Sequence, residues 1–525
     1  MRRICALSGA LAVALLTHGQ AWTDFHEKSK EHLLDGLTWR VEMQASVSKD
    51  KTPLWLNANK YGLSSLDEQN GYLRAALTRP LSEDSTRRWA IGYGLDMAAP
   101  VNYTSSVVLQ QAYAEVRWLH GVLTVGSKQQ PMEMKNNQLS SGSQTFGINS
   151  RPVPQVRIAL PEWWTLPFAN GWLQLKGHIA YGMMTDDNWQ HDFTDRKSKY
   201  ADHVLYHSKA GYIRLGNDAA FFPLSLEAGL EMGALFSGTS YRPDGKGGMI
   251  QAKGKRGLTA FWQAFVPGGA DPGEDLYKNV SGDMVGSWVV RLNYNTENWR
   301  FSLYGDKYFE DHSAMFLLDY DGYGQGEEFN VKKDRRFFVY DMKDMMLGME
   351  LNLKYGTWLR DVVVEYLYTK YQSGPVYHDH TPSISDHVAG IDNYYNHSIY
   401  TGWQHWGQVI GNPLYRSPIY NTDGTIYVKD TRFMAFHLGV DGQPTERLGY
   451  RLLASWQEGF GTYDQPYTRK HHNVSFMAEA TYQFPKNWTV RGAYGMDFGH
   501  ILGHNAGFQL TVAKSGLLKK KDKKR

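Results

Sequence analysis

The sequence predicts an all-β chain, a transmembrane antiparallel up-and-down β-barrel of about 18 strands. Three observations carry this. The chain opens on an export leader, its body alternates apolar and polar residues in ribbons of about ten, and the connections between ribbons sort into a short set and a long set.

Composition bounds the alternatives. The 525 residues (59.8 kDa) are 42% apolar, 21% charged and 14% aromatic, with a mean hydropathy of −0.49. That hydropathy excludes a polytopic helical membrane protein, and the aromatic content argues against disorder. Fifty-two Gly, 33 Tyr and 17 Trp accompany a single Cys. The mixture suits a sheet-rich protein whose ends meet an interface where amphipathic rings settle.

Met1-Arg2-Arg3 is a short positive region, Ile4 to Leu16 an apolar run of 13 residues, and Gly19-Gln20-Ala21 supplies the small residues that a signal peptidase reads. Residues 1–21 are thus expected to be a signal peptide, too short to span a bilayer. Cys5 falls inside it without a lipobox. The mature chain from Trp22 therefore has no disulfide framework and no thiolate chemistry. Thr23 to Leu37 is read as a short helix with Phe25, Leu33 and Leu34 as its apolar positions, within a periplasmic segment 22–37. The barrel follows over 38–514 and a basic tail over 515–525.

Net charge is +3, but the leader holds two arginines and Lys519 to Arg525 holds six basic groups and Asp522; the rest has 48 basic against 52 acidic residues, or −4. No broad basic face calls for nucleic acid. The tail is read as a solvated terminus, with anionic lipid head groups as its alternative partner.

In the ribbon near 473–484, Val474, Phe476, Ala478, Ala480, Tyr482 and Phe484 share one face, and Asn473, Ser475, Glu479, Thr481 and Gln483 the other. Trp488, Val490, Tyr494 and Met496 oppose Thr489, Arg491 and Asp497. Leu347, Met349 and Leu351 oppose Glu350 and Asn352, and Leu173, Leu175 and Ile179 oppose Gln174, Lys176 and His178. Seventeen such ribbons start near 38, 71, 88, 106, 120, 171, 203, 224, 284, 298, 345, 359, 431, 447, 473, 487 and 506, and a weaker eighteenth is Val153 to Leu160. Taken alternately up and down, they leave short connections such as 119, 296–297 and 485–486 on one side. Long ones, including 49–70, 129–152, 185–202, 239–283, 311–344, 372–430 and 458–472, fall on the other. That asymmetry belongs to outer-membrane barrels, whose long loops face out. A soluble sandwich, solenoid or propeller also alternates. Here, however, the polar face carries Arg, Glu, Lys and Gln at mid-strand while the apolar face ends in Trp and Tyr, which a closed barrel with a polar lumen accommodates. Trp163 and Trp164 are expected in the periplasmic girdle.

Catalytic and metal motifs are sparse. There is no Gly-x-Ser-x-Gly elbow and no His-Glu-x-x-His. The run from Asp319 to Glu328 fails the calcium-loop pattern at Tyr323 and at Asn330 and is read as a glycine-rich outer loop. His378, Asp379, His380, Asp386 and His387 crowd one loop and have metal-ligand chemistry, but solvated loop residues are the favoured reading. No metal, cofactor or catalytic residue is assigned. Trp189 with His191, Tyr394 with Tyr395, and Trp403 with His405 and Trp406 fall in expected outer loops. A ring offers an apolar face to the C–H face of a sugar while neighbouring polar groups meet its hydroxyls, so these are candidate glycan-binding residues; packing the loops into a lid is the plainer alternative.

The stretch Val125-Gly-Ser-Lys128-Gln-Gln-Pro131-Met-Glu-Met-Lys135-Asn-Asn137, continuing through Ser140-Ser-Gly142 to Asn149-Ser-Arg151-Pro152-Val-Pro154-Gln155, resembles the capsule assembly Wzi family, in the branch found in Bacteroidota. Lys176-Gly-His178-Ile-Ala-Tyr181-Gly182, Asp187-Asn188-Trp189-Gln190 and Leu205-Tyr-His207-Ser-Lys209-Ala-Gly211 share the resemblance. It is specific over about 120–240 and looser over the rest of the mature chain. The resemblance implies an 18-stranded outer-membrane barrel whose outer loops obstruct the lumen, and a lectin-like role in attaching or organising capsular polysaccharide, in company with outer-membrane lipids and the capsule export machinery. Lys128, Lys135, Arg151 and Trp189 match the family's motifs and join the candidate glycan-binding set. One departure stands out: the last ribbon, Phe508, Leu510 and Val512, is followed by the basic tail rather than by a terminal aromatic. A non-enzymatic surface lectin is thus the leading expectation, a porin or substrate channel the alternative, and an outer-membrane hydrolase the third.

Overall fold

The computed structural model describes residues 33–84, 88–266, 282–310, 321–323, 326–328, 330–334, 344–372 and 392–518. The expected leader, the segment 22–32, the loop from His378 to His387 and the tail from Lys519 lie outside these residues. Of the expected periplasmic helix only 33–37 is described, and Leu33–Gly36 is a turn there. Within the glycine-rich run, Asp321–Tyr323 pairs with Lys332–Asp334.

Eighteen strands form the wall. The first nine are β1 (Thr38–Lys49), β2 (Gln69–Arg79), β3 (Trp89–Val101), β4 (Val108–Trp118), β5 (Gly121–Ser127), β6 (Gln155–Thr165), β7 (Leu173–Met183), β8 (Leu205–Leu215) and β9 (Leu224–Phe236). The rest are β10 (Asp283–Asn295), β11 (Trp299–Glu310), β12 (Met345–Leu353), β13 (Asp361–Tyr368), β14 (Phe433–Gly442), β15 (Leu448–Gly461), β16 (Pro466–Phe484), β17 (Trp488–Gly499) and β18 (His504–Leu517). Each pairs antiparallel with its sequence neighbours. β1 closes the ring on β18, from Thr38 opposite Leu517 to Lys49 opposite Ala506. Closure leaves no edge with unpaired backbone groups, which lipid could not solvate. The predicted ribbons and the strands coincide, including the weak one that becomes β6.

The period-2 pattern sets which way each side chain points. In β1, Met43 and Val47 are about 60% exposed while Gln44 and Ser46 are buried at 6% and 2%. In β17, Trp488, Tyr494, Met496 and Phe498 are exposed and Asp497 is buried. A continuous exposed apolar wall is intolerable in water and neutral in lipid, so burial is inverted: the polar face looks into the lumen and the greasy face out. At the end where β1 begins and β18 finishes the connections are short, among them 119–120, 296–298 and 485–487. Aromatic rings collect at that end: Trp89 stacks on Trp118 at 5.9 Å and Trp172 lies 5.2 Å from Phe222. Trp163 departs from the expected girdle. A register shift between Leu160 and Trp164 turns it to the lumen, where it packs near Tyr212, while Trp164 stacks on His120.

At the other end lie the long connections, with one correction. The expected long loop over 458–472 is a four-residue turn, 462–465, because β15 and β16 run on as a polar ribbon through Arg469, Lys470 and His472. Three of the long loops, 50–68, 128–154 and the described part of 369–432, fold inward, so the largest hydrophobic core among the described residues lies inside the barrel, built from Leu54, Trp55, Leu139, Tyr304, Trp403 and Tyr415 among others. The lumen is obstructed, as expected.

Candidate functional site

The inward loops are held by a few buried polar contacts to the wall. Loop 128–154 reaches deepest. Inward-facing Glu365 of β13 accepts from the Ser140 hydroxyl (2.5 Å) and the Tyr304 hydroxyl (2.6 Å) on one oxygen, and from the Ser141 amide (2.8 Å) and hydroxyl (2.5 Å) on the other. Asp306 of β11 meets the Lys135 ammonium at 2.5 Å and accepts from the Gln144 amide at 3.0 Å. The Leu139 carbonyl accepts from His437 at 2.8 Å and presses on Gly439, where a Cβ would fall 2.3 Å away. Further down, Arg291 donates to the Met134 carbonyl and Arg451 to that of Gln138. Charged acceptors in a low-dielectric interior make such bonds stronger than neutral ones.

Loop 50–68 docks beside it. Its single helical turn, α1 (Leu54–Asn57), places the Leu54 amide on Asp497 and the Trp55 ring 4.9 Å from His437. The described part of loop 369–432 closes the top: Trp403 donates its indole N–H to the Thr145 carbonyl at 2.9 Å and stacks on Tyr206.

These contacts locate the residues singled out from sequence. Trp403, Tyr394, Tyr395 and His405 are buried at 2% exposure or less, so none offers a free ring face at the mouth. Tyr395 packs between Tyr308 and Tyr415 and donates to the Gln144 carbonyl. Both nitrogens of His405 face carbonyls, Nδ1 that of Arg151 at 2.8 Å and Nε2 that of Thr185 at 2.7 Å. Burial pushes its pKa down to about 4, so the neutral ring has one proton for two acceptors. Trp189 opens a short helix, α2 (Trp189–Thr194). Its ring is buried over Gly407, whose φ of +77° and lack of a Cβ leave room for it, since a Cβ would lie 2.5 Å from the indole. Trp406 is half-buried under the Arg151 guanidinium, 3.9 Å from its centroid. Arg151 also donates to Thr104 and Ser105, and burial lowers its pKa to about 10, leaving it charged at neutral pH.

The two lysines are inside as well. Lys128 pairs with Glu115 at 2.5 Å, and Lys135 is the buried partner of Asp306. Of the whole candidate set, His191 is the one whose surroundings open outward with both rings and polar groups. Its Nε2 lies 2.8 Å from Asp202, Arg196 approaches Nδ1 at 3.3 Å, and Tyr200 meets it edge-on at 4.6 Å. Tyr200 in turn stacks on Tyr241 at 4.8 Å with planes 14° apart. Sequence reasoning missed Tyr200, Asp202 and Tyr241. They meet only because the three-residue strand Tyr200–Asp202 pairs with Thr239–Pro243, a run too short to show a period.

Below the plug, toward the turn end, the lumen keeps polar cavities. One of about 480 Å³ is bordered by Arg214, Arg291, Arg300, Glu227 and Glu350; another of about 260 Å³ by Arg360, Arg451, Arg491, Asp441 and Glu479. Their charges are largely paired, as in Arg291–Glu350 at 2.7 Å and Arg360–Asp441 at 2.7 Å. No cluster of three or more His, Cys, Asp or Glu able to hold a metal ion occurs among the described residues.

No protein-family model and no curated protein matches the chain. Among solved structures, OprD of Pseudomonas aeruginosa aligns over 92% of this chain and 95% of its own at 9% identity, with a TM-score of 0.42. OmpT of Vibrio cholerae aligns over 91% and 97% at 7% identity, with a TM-score of 0.34. Wzi, a carbohydrate-binding β-barrel of the outer membrane involved in group 1 capsule assembly in Escherichia coli, aligns over 93% of this chain and 86% of its own at 12% identity, with a TM-score of 0.53. At that identity the likeness to Wzi is one of fold.

Proposed function

We propose that this chain is a non-enzymatic outer-membrane barrel that binds capsular or related polysaccharide at the cell surface, as a member of the Wzi family in its Bacteroidota-type branch. The observation that carries the proposal is the plug. A lumen filled by three loops, tied to the wall through buried Glu365 and Asp306, suits a fixed outer platform better than a diffusion path. The apolar wall and aromatic girdle support the membrane location. The Wzi motifs in 125–211 and the fold likeness to a carbohydrate-binding barrel support the ligand class. On this chain the glycan surface is the outward cluster of His191, Asp202, Arg196 and Tyr241, where a ring face adjoins hydroxyl-binding groups. Single sugar contacts are weak, and a repeating polymer adds avidity across many copies of the protein. Outer-membrane lipids and the capsule export machinery are its expected partners.

A glycan array on detergent-purified protein tests the ligand, and a deletion strain tests the role. Loss of surface-retained capsule with normal secretion is expected; unchanged retention would overturn the proposal.

The arginine- and carboxylate-bordered cavities beneath the plug favour a second reading, a substrate channel gated by the loops. Planar-bilayer conductance separates the two, because a gated channel shows opening events in the parent protein and a plugged anchor stays silent.

A further inference from the structure

Not every outer-end element covers the mouth. The eight-residue helix α3 (Leu258–Phe265), in the described part of loop 237–282, lies against the outside of the wall. Its Ala260 and Ala264, one turn apart, are buried with Ala234, Phe236 and Met284. On β9 and β10 those residues share the outward register of exposed Leu224, Leu226, Val290 and Leu292. Two further contacts hold the helix there. Tyr181, on the outward face of β7, donates its hydroxyl to the Phe261 carbonyl at 3.0 Å. Lys209 of β8 donates to the Phe265 carbonyl, with its ammonium 4.9 Å from that ring.

The opposite face of α3 is apolar too, and no described residue covers it: Leu258 is 88% exposed and Trp262 64%. A helix greasy on both sides needs two apolar neighbours. The barrel wall is one, and the continuity of this face with the lipid-facing wall makes the bilayer the other. The approach to the helix is basic. Lys253, Lys255 and Arg256 are exposed, and no acidic residue occurs from Gly245 to Val266. Positive charge beside a Trp- and Leu-bearing helix at a membrane surface is the chemistry that holds an anionic head group over its acyl chains.

We propose that α3 and the basic run before it form a binding site for a phosphorylated glycolipid of the outer leaflet, with Leu258 and Trp262 among the acyl chains and Lys253, Lys255 and Arg256 at the phosphates. The inference rests on the membrane part of the proposed function and not on polysaccharide binding.

The test uses the full mature chain, which lacks cysteine, reconstituted in vesicles containing lipid A with two phosphates. A nitroxide on Leu258→Cys is expected to be reached by oxygen and shielded from a nickel chelate, as one on Val474→Cys in the wall should be. A label at 258 that sits in water while that at 474 sits in lipid would overturn the site alone; both in water would overturn the membrane reading itself. In the second arm, K253E/K255E/R256E is expected to weaken lipid A binding, read by native mass spectrometry, by at least about tenfold. Unchanged lipid A binding, or an equal loss toward phosphatidylglycerol, would overturn the glycolipid assignment.

Discussion

The amide and the hydroxyl of Ser141 both donate to the same oxygen of Glu365, at 2.8 and 2.5 Å, although the two residues are 224 positions apart. With Ser140 and Tyr304 on the second oxygen, one carboxylate organises the tip of loop 128–154. Glu365→Ala strands four buried donors, and its expected cost is roughly 2–4 kcal/mol of plug docking. The wall has its own ladders and should persist. The variant should therefore retain its strand content, gain protease cleavage within 137–145 and show conductance bursts in planar bilayers; a silent bilayer with an intact loop would contradict this.

Lys135 and Asp306 form a second tie, with side chains 2% and 0% exposed. Removing one partner leaves an unpaired buried charge, at about 3–5 kcal/mol, whereas replacing both with apolar groups of similar size is close to neutral. Denaturant titrations of Lys135→Met, Asp306→Leu and the double variant should show each single change destabilising and the double one largely restored. Gln144 also leans on Asp306, so Asp306→Leu should be the worse of the two.

His405 gives a signed pH effect. Its pKa is about 4 in the folded protein, below the usual 6.5, because burial disfavours the cation. Above pH 6.5 the ring is neutral in both states and costs nothing. As pH falls from 6.5 toward 4 the unfolded chain takes up a proton that the folded chain refuses, and stability drops by about 3 kcal/mol. His405→Gln should flatten that part of the stability–pH curve relative to the parent, by thermal melts between pH 4 and 7.

Trp403 and Tyr241 should separate plug from platform. Trp403→Ala empties a fully buried site and is expected to cost about 3–5 kcal/mol, while leaving glycan affinity at the mouth within a few-fold once folded. Tyr241→Ala removes a half-buried ring stacked on Tyr200 and should weaken glycan binding with little change in melting. The reverse pattern on a glycan array would move the binding surface into the loop junction.

The strands were legible from the chain alone. Lipid on one side and a polar lumen on the other force period 2 on every strand, and that rule is local: Val474 against Ser475, or Met43 against Gln44, needs no knowledge of the rest of the fold. The weak ribbon that became β6 was found the same way, while its bulge, which turned Trp163 inward, left no local mark. The plug followed a different logic. Rings interleaved with Asn, His and Ser suit a sugar site and a buried loop junction equally well, because both need apolar faces beside satisfied polar groups. Which of the two Trp403, Tyr395 and His405 serve depends on partners as distant as Thr145, Gln144 and Arg151. Contacts between segments some 250 residues apart are set by where closure of the wall brings the loops, so tertiary structure alone decided that these rings face inward and that Tyr200, Asp202 and Tyr241 meet beside His191.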